Sequence, residues 1–117
     1  MAFESEARGM SITVNILYHG QGGSAQAFAE RMVASGTVAA IRAEDGNEVY
    51  EYYQPLDDPN AILLIDRWRD QESLDAHHAS PMMAKIAELR DRYDLHMEVR
   101  RYADLDEPAG DAQFIRQ

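Results

Sequence analysis

The stretch AILLIDRWRDQESLDAHHASPMM (residues 61–83) changes its apolar period halfway along, and that change sets the fold class. Its first eight residues are a nearly continuous aliphatic run of strand length that ends in Asp66, Arg67 and Trp68, as expected of a strand covered on both faces. Asp70 then stands where an N-cap belongs, ahead of a short helix over residues 71–78. Ser80 and Pro81 restart a longer helix, with Ser as N-cap and Pro at the first helical position, where its missing N–H costs nothing. Met82, Ile86, Leu89 and Tyr93 follow at i, i+4, i+7 and i+11, one apolar stripe on that helix.

Working outward, residues 11–18 alternate. Ile12, Val14, Ile16 and Tyr18 face one way and Thr13 and Asn15 the other, the mark of a half-buried strand. HGQGGS is a turn, and Ser24 is placed to cap a helix over about residues 24–43, with Phe28, Met32, Val33, Ala40 and Ile41 on one face and Gly36 weakening its middle. EDGN turns the chain into a second strand, EVYEYYQ, where Val49, Glu51 and Tyr53 alternate with Tyr50 and Tyr52. Residues 95–102 alternate once more. The order β, α, β, β, α, β is that of an α+β, ferredoxin-like domain with an antiparallel sheet and helices on one face. In a domain this small the bare face is most readily covered by a second copy, so a homodimer is expected. The expected organisation is a loose N-terminal extension (1–10), one domain (11–102) and an acidic tail (103–117) whose Phe114 and Ile115 could dock on a partner.

Composition narrows the function. Against 11 Lys+Arg stand 21 Asp+Glu, a formal charge of -10, which repels phosphate backbones and anionic lipid; neither nucleic acid nor membrane is an expected partner. With no cysteine, disulfides, thiolate metal sites and cysteine nucleophiles are excluded. No apolar run approaches the roughly 20 residues of a membrane helix, and MAFESEARG is unlike a secretory signal, so a cytoplasmic protein is expected.

The run GNEVYEYYQPLDDP (residues 46–59), followed by LLIDRW and DQESLDAHHASPMM, resembles the antibiotic biosynthesis monooxygenase domain, with likeness over about residues 12–102. The resemblance implies a dimeric α+β barrel and, for relatives of the quinol monooxygenase type, oxidation of a hydroquinone or anthrone by O₂ with no cofactor and no metal. Its partners would be a small aromatic molecule and O₂. Trp68 matches the tryptophan that closes the family's third strand, His77 its characteristic histidine, Tyr50 the tyrosine after the glycine turn, and Asn15 an asparagine of strand one. Three features depart from the pattern. Asp66 stands where Glu is commoner, Met82 follows Ser-Pro where many members have a second His, and the helix pattern of the heme-degrading branch is absent.

These matches make His77, Tyr50, Asn15 and Trp68 the candidate catalytic residues and Tyr52, Asp66, His78 and Met82 candidate substrate contacts. The chemistry needs a base near neutral pH, which suits His, and donors for an anion, which suit Asn, Tyr or the Trp N–H. Each has a structural alternative. His77 could simply pack beside Leu74, and His78, at i+4 from Leu74, could be the ring that turns inward. Trp68 could be core, Tyr53 sheet-interface packing, Asp66 either the orienter of a histidine or a salt-bridge partner of Arg100, and Met82 core filling. Adjacent histidines on a helix are poorly placed to chelate one metal. Two rival functions stay open: a non-oxidative isomerase or tautomerase of a small carbonyl compound, and a non-catalytic ligand-binding dimer.

Overall fold

A computed structural model describes residues 10–116; of the expected N-terminal extension, residues 1–9 lie outside the described residues. Four strands, β1 (Ile12–His19), β2 (Asn47–Tyr53), β3 (Ala61–Trp68) and β4 (His96–Ala103), form one antiparallel sheet in the order β2-β3-β1-β4. Helices α1 (Ser24–Ala34) and α2 (Thr37–Arg42) join β1 to β2, and α3 (Gln71–His78) and α4 (Met82–Arg92) join β3 to β4. This is the α+β, ferredoxin-like arrangement expected of the alternating periods.

The expected single helix over residues 24–43 is two. Gly36 adopts φ 80°, the left-handed conformation that ends α1 and lets α2 start in a new direction. Val33 consequently lies on the outside, 59% exposed, while Phe28, Met32 and Ile41 are fully buried. Ser24 is not the cap either. Gly23 holds the N-cap position, and the Ser24 hydroxyl accepts instead from the Gln21 amide at 3.1 Å. Pro81 likewise occupies the N-cap position of α4, and the buried Ser80 hydroxyl has no partner among the described residues. Asp70 caps α3 as expected, accepting from the Ser73 amide at 2.8 Å; that bond holds its carboxyl below the usual carboxylate range.

The core lies between the sheet and the helices. Val14, Ile16 and Tyr18 of β1, Tyr50 of β2 and Ile62, Leu64 and Trp68 of β3 meet Phe28, Met32, Leu74, Ile86 and Leu89 from the helices. Register fixes who shares a face. Asp66 pairs with Val14 on one side and Tyr50 on the other, all pointing to the helices. On the opposite face Ile65 pairs with Asn15 and Glu51, and Asn15 pairs in turn with Arg100. Among the described residues no helix covers that face, and every residue of the edge strand β4 is exposed. Beyond β4 the tail is tied back at its root, where Arg67 grips Asp104 with two bonds at 2.6 and 2.8 Å, and ends in a 3-10 turn, Ala109–Phe114.

Candidate active site

Trp68 is fully buried at the end of β3, and its indole N–H donates to Asp66 Oδ1 at 2.6 Å. The two side chains are two residues apart on one strand and so share a face. His77 of α3 lies on this indole, ring centroids 4.8 Å apart and planes inclined by 27°. It is three residues after Leu74, so the helix turns both inward: His77 is 4% exposed and Leu74 1%. The choice between the two histidines is thereby decided, since His78 faces solvent. Burial and the neighbouring His77 hold the His78 ring below the usual histidine value.

The fourth element of the site is a residue that spacing did not suggest. Glu44, in the turn after α2, places Oε2 at 2.7 Å from His77 Nδ1. Gly46 makes the approach possible. Its φ is 88°, and a Cβ there would lie 2.2 Å from the Ser73 hydroxyl of α3, so only glycine lets this turn close against the helix. The Gly46 carbonyl also accepts from the Arg69 amide at 2.8 Å, which fastens the turn to the segment joining β3 to α3. An open cleft of about 310 Å³ lies on this side, lined by Glu44, Asp45, Arg69, Asp70, Ser73 and His77.

Tyrosines fill the other side. Tyr50 stands edge-on to His77, centroids 6.5 Å apart, and edge-on to Tyr52 at 5.9 Å. Tyr18, fully buried, accepts from Arg90 Nη2 at 2.8 Å and Nε at 3.1 Å. Burial raises the pKa of all three phenols above the ordinary tyrosine value, so they act as neutral donors or acceptors rather than as bases. The Tyr52 hydroxyl is buried without a hydrogen-bond partner among the described residues. Beside Tyr52 an apolar depression of about 340 Å³ opens at the sheet edge, walled by Ala29, Val33 and Ala34 of α1.

Asp66 is 5% exposed. Burial pushes its carboxyl up to about 6, against the indole hydrogen bond and the nearby His77, which pull it down. It neither orients a histidine nor pairs with Arg100, which lies across the sheet; its partner is Trp68. Met82, half-buried at the start of α4, packs on the core.

One expected member is elsewhere. Asn15 points to the uncovered face beside Arg100 and Tyr102, so within one protomer it cannot share a pocket with His77. The alternation that put Val14 and Ile16 in the core excludes Asn15 from it. Among the described residues, no group of three or more His, Asp or Glu side chains is placed to hold a metal ion.

Comparison with known proteins agrees with this fold. A 60-residue stretch is 28% identical to YcnE of Bacillus subtilis, covering 48% of this chain and 63% of that one, so the match spans less than two thirds of that relative. The fold matches Rv0793 from Mycobacterium tuberculosis at 25% identity, with a TM-score of 0.66 over 85% of this chain and 99% of that one. It also matches SnoaB, a cofactor-independent oxygenase from Streptomyces nogalater, at 16% identity, with a TM-score of 0.69 over 85% and 97%. The sequence model of the antibiotic biosynthesis monooxygenase family matches residues 11–89, a span that includes β1 to β3 and all the residues around His77, and the chain belongs to that family.

Proposed function

We propose that the chain is a cofactor-independent monooxygenase that oxidises a planar hydroquinone- or anthrone-type substrate with O₂. The observation that carries this reading is the buried imidazole of His77, clamped between the Trp68 indole and Glu44 and edge-on to the neutral phenol of Tyr50. The imidazole takes a proton from the substrate phenol or activated methylene. Neutral hydroxyls of Tyr50 and Tyr52 stabilise the resulting anion by donation, in a site poor in water. The anion gives an electron to O₂ and the pair recombine through a new C–O bond. For a methylene, one oxygen atom becomes the ketone and the other leaves as water with the two hydrogens. The apolar depression beside Tyr52 supplies an entry for a flat aromatic molecule.

Turnover of dihydroxynaphthalenes and anthrones in air and under nitrogen tests the proposal. The expected result is oxygen-dependent product formation that falls about 10²-fold in His77→Ala. No oxygen-dependent turnover by the wild type across the panel would sink it.

The rival of a non-catalytic ligand-binding dimer has one observation in its favour: Trp68 and Tyr50 pack against the His77 ring with at most 2% exposure, which leaves little room for a substrate ring beside it. Quenching of Trp68 fluorescence by a panel compound without turnover would favour that rival. We also assign the protein to the cytoplasm and to a homodimer. Leu17, Leu63, Ile65 and Tyr102 on the bare sheet face and Met97 and Val99 of β4 are the apolar side chains a second copy would cover. Sedimentation should give twice the 13.2 kDa protomer mass.

A further inference from the structure

We infer that Glu44 is the positioning residue of the site, and that it decides which nitrogen of His77 acts as the base. The inference rests on the reading of His77 as the base. An imidazole offers two nitrogens, and in the neutral ring one carries the proton while the other carries the lone pair; the partner of one sets the state of the other. Here Nδ1 lies 2.7 Å from a carboxylate oxygen of Glu44. A carboxylate only accepts, so the proton of the neutral ring resides on Nδ1 and the lone pair is left on Nε2. Nε2 has no hydrogen-bond partner among the described residues.

The surroundings hold the ring in that state. Trp68 lies flat against one face of the imidazole, so the ring cannot flip without breaking the stack. Asp66, the other buried carboxylate, is occupied by the indole N–H and does not compete for Nδ1. Tyr50 from β2 and His78 from α3 itself are titratable ring neighbours, with ring centroids 6.5 and 5.8 Å from that of His77, and Asp45, Arg69, Asp70 and Glu72 share the cleft with it. Glu44 alone among the groups facing the ring is within hydrogen-bond reach of it. When Nε2 takes the substrate proton, the ring becomes a cation with both nitrogens protonated, and Glu44 supplies the opposing charge at Nδ1. The carboxylate is 21% exposed and the imidazole 4%, and both line the cleft, so the Glu44 end of the pair is the more open to solvent.

The test reads the ring nitrogens directly. Two-bond ¹H–¹⁵N correlation spectra of histidine-labelled protein, recorded at a pH where the ring is neutral, report which nitrogen bears the proton. The wild type is expected to show a protonated Nδ1 and a bare Nε2. Glu44→Gln keeps an accepting oxygen and should retain that form, whereas Glu44→Ala should convert a large fraction to the Nε2–H form. In turnover, Glu44→Ala should lower kcat on the order of tenfold with KM unchanged, and Glu44→Gln should recover part of that loss. A wild-type ring protonated at Nε2, or a Glu44→Ala ring unchanged from wild type, would overturn the inference. The spectra need no substrate and the first result needs no variant. A wild type that shows the expected tautomer but no oxygen-dependent turnover would leave Glu44 as the positioning residue and remove the oxygenase reading.

Discussion

The two faces of this sheet are built from the same strands and carry opposite kinds of chemistry. Toward the helices, Trp68, Asp66, Tyr50, Tyr18 and His77 are each 5% exposed or less, and three polar contacts fix the geometry there: indole to carboxylate, phenol to guanidinium, imidazole to Glu44. On the other face Arg67, Arg100, Glu98, Asn15 and Tyr102 stand among half-buried aliphatics with no helix over them. A buried polar group must be paired or it costs the fold, so the covered face tolerates polar side chains only in a fixed geometry. The bare face imposes no such discipline. Asn15 and Tyr18 are three residues apart on β1, yet the odd spacing turns one to the uncovered face and the other toward the helices.

Removing the centre of the covered face should have the largest effect. Trp68→Ala deletes a fully buried indole and strands the Asp66 carboxyl, and a stability loss of about 3–5 kcal/mol is expected in urea unfolding. The comparison would break if the loss were no greater than that of a surface substitution.

Asp66→Asn sharpens the comparison through pH. The Asp66 carboxyl is raised to about 6 in the folded chain, so the folded state holds this proton where the unfolded state has lost it. Below about pH 4 both states are protonated and the carboxyl costs nothing; as pH rises to about 6 that advantage is lost, and above it the wild type carries a buried charge. The variant, whose amide oxygen can still accept from Trp68, should therefore gain on the wild type between about pH 4 and 6, by up to about 3 kcal/mol at neutral pH. Unfolding curves at pH 4 and pH 7 that show the same difference between the two proteins would contradict the raised titration of this buried carboxyl.

Gly46→Ala strikes the turn that delivers Glu44. The positive φ and the collision with Ser73 should cost about 1–3 kcal/mol in thermal or urea unfolding and pull Glu44 from His77, which the ring-nitrogen spectra would register. Asn15→Ala is the smallest change. Its buried amide oxygen has no partner to lose, and a shift within about 0.5 kcal/mol is expected. A large loss of stability on this substitution would show that the bare face is as tightly determined as the covered one.

Much of this division was legible in the residues. Alternation in β1 and β2 assigned each tyrosine to its face, and the change of period after Trp68 placed His77 on a helix beside the end of a strand. Helical spacing alone could not separate His77 from His78, because Leu74 neighbours both; only the packing of α3 on Trp68 turns the first inward. Glu44 was invisible for a different reason. It is 33 residues from His77, and nothing in EDGN except its glycine hints that the turn must press against another element. Asn15 was placed in the site by resemblance against the evidence of its own alternation, which had already set it opposite Val14 and Ile16. Gly36 was seen as a weak point in a helix, but not that its left-handed backbone would split that helix in two.

The central claim is that the chemistry belongs to the covered face and turns on His77. Oxygen uptake with an anthrone or dihydroxynaphthalene substrate, measured side by side for the wild type, His77→Ala and Asn15→Ala, tests it most directly. Oxygen-dependent turnover should fall about 10²-fold in His77→Ala and stay within about twofold of wild type in Asn15→Ala. Turnover that survives in His77→Ala and collapses in Asn15→Ala would put the active site on the other face of the sheet.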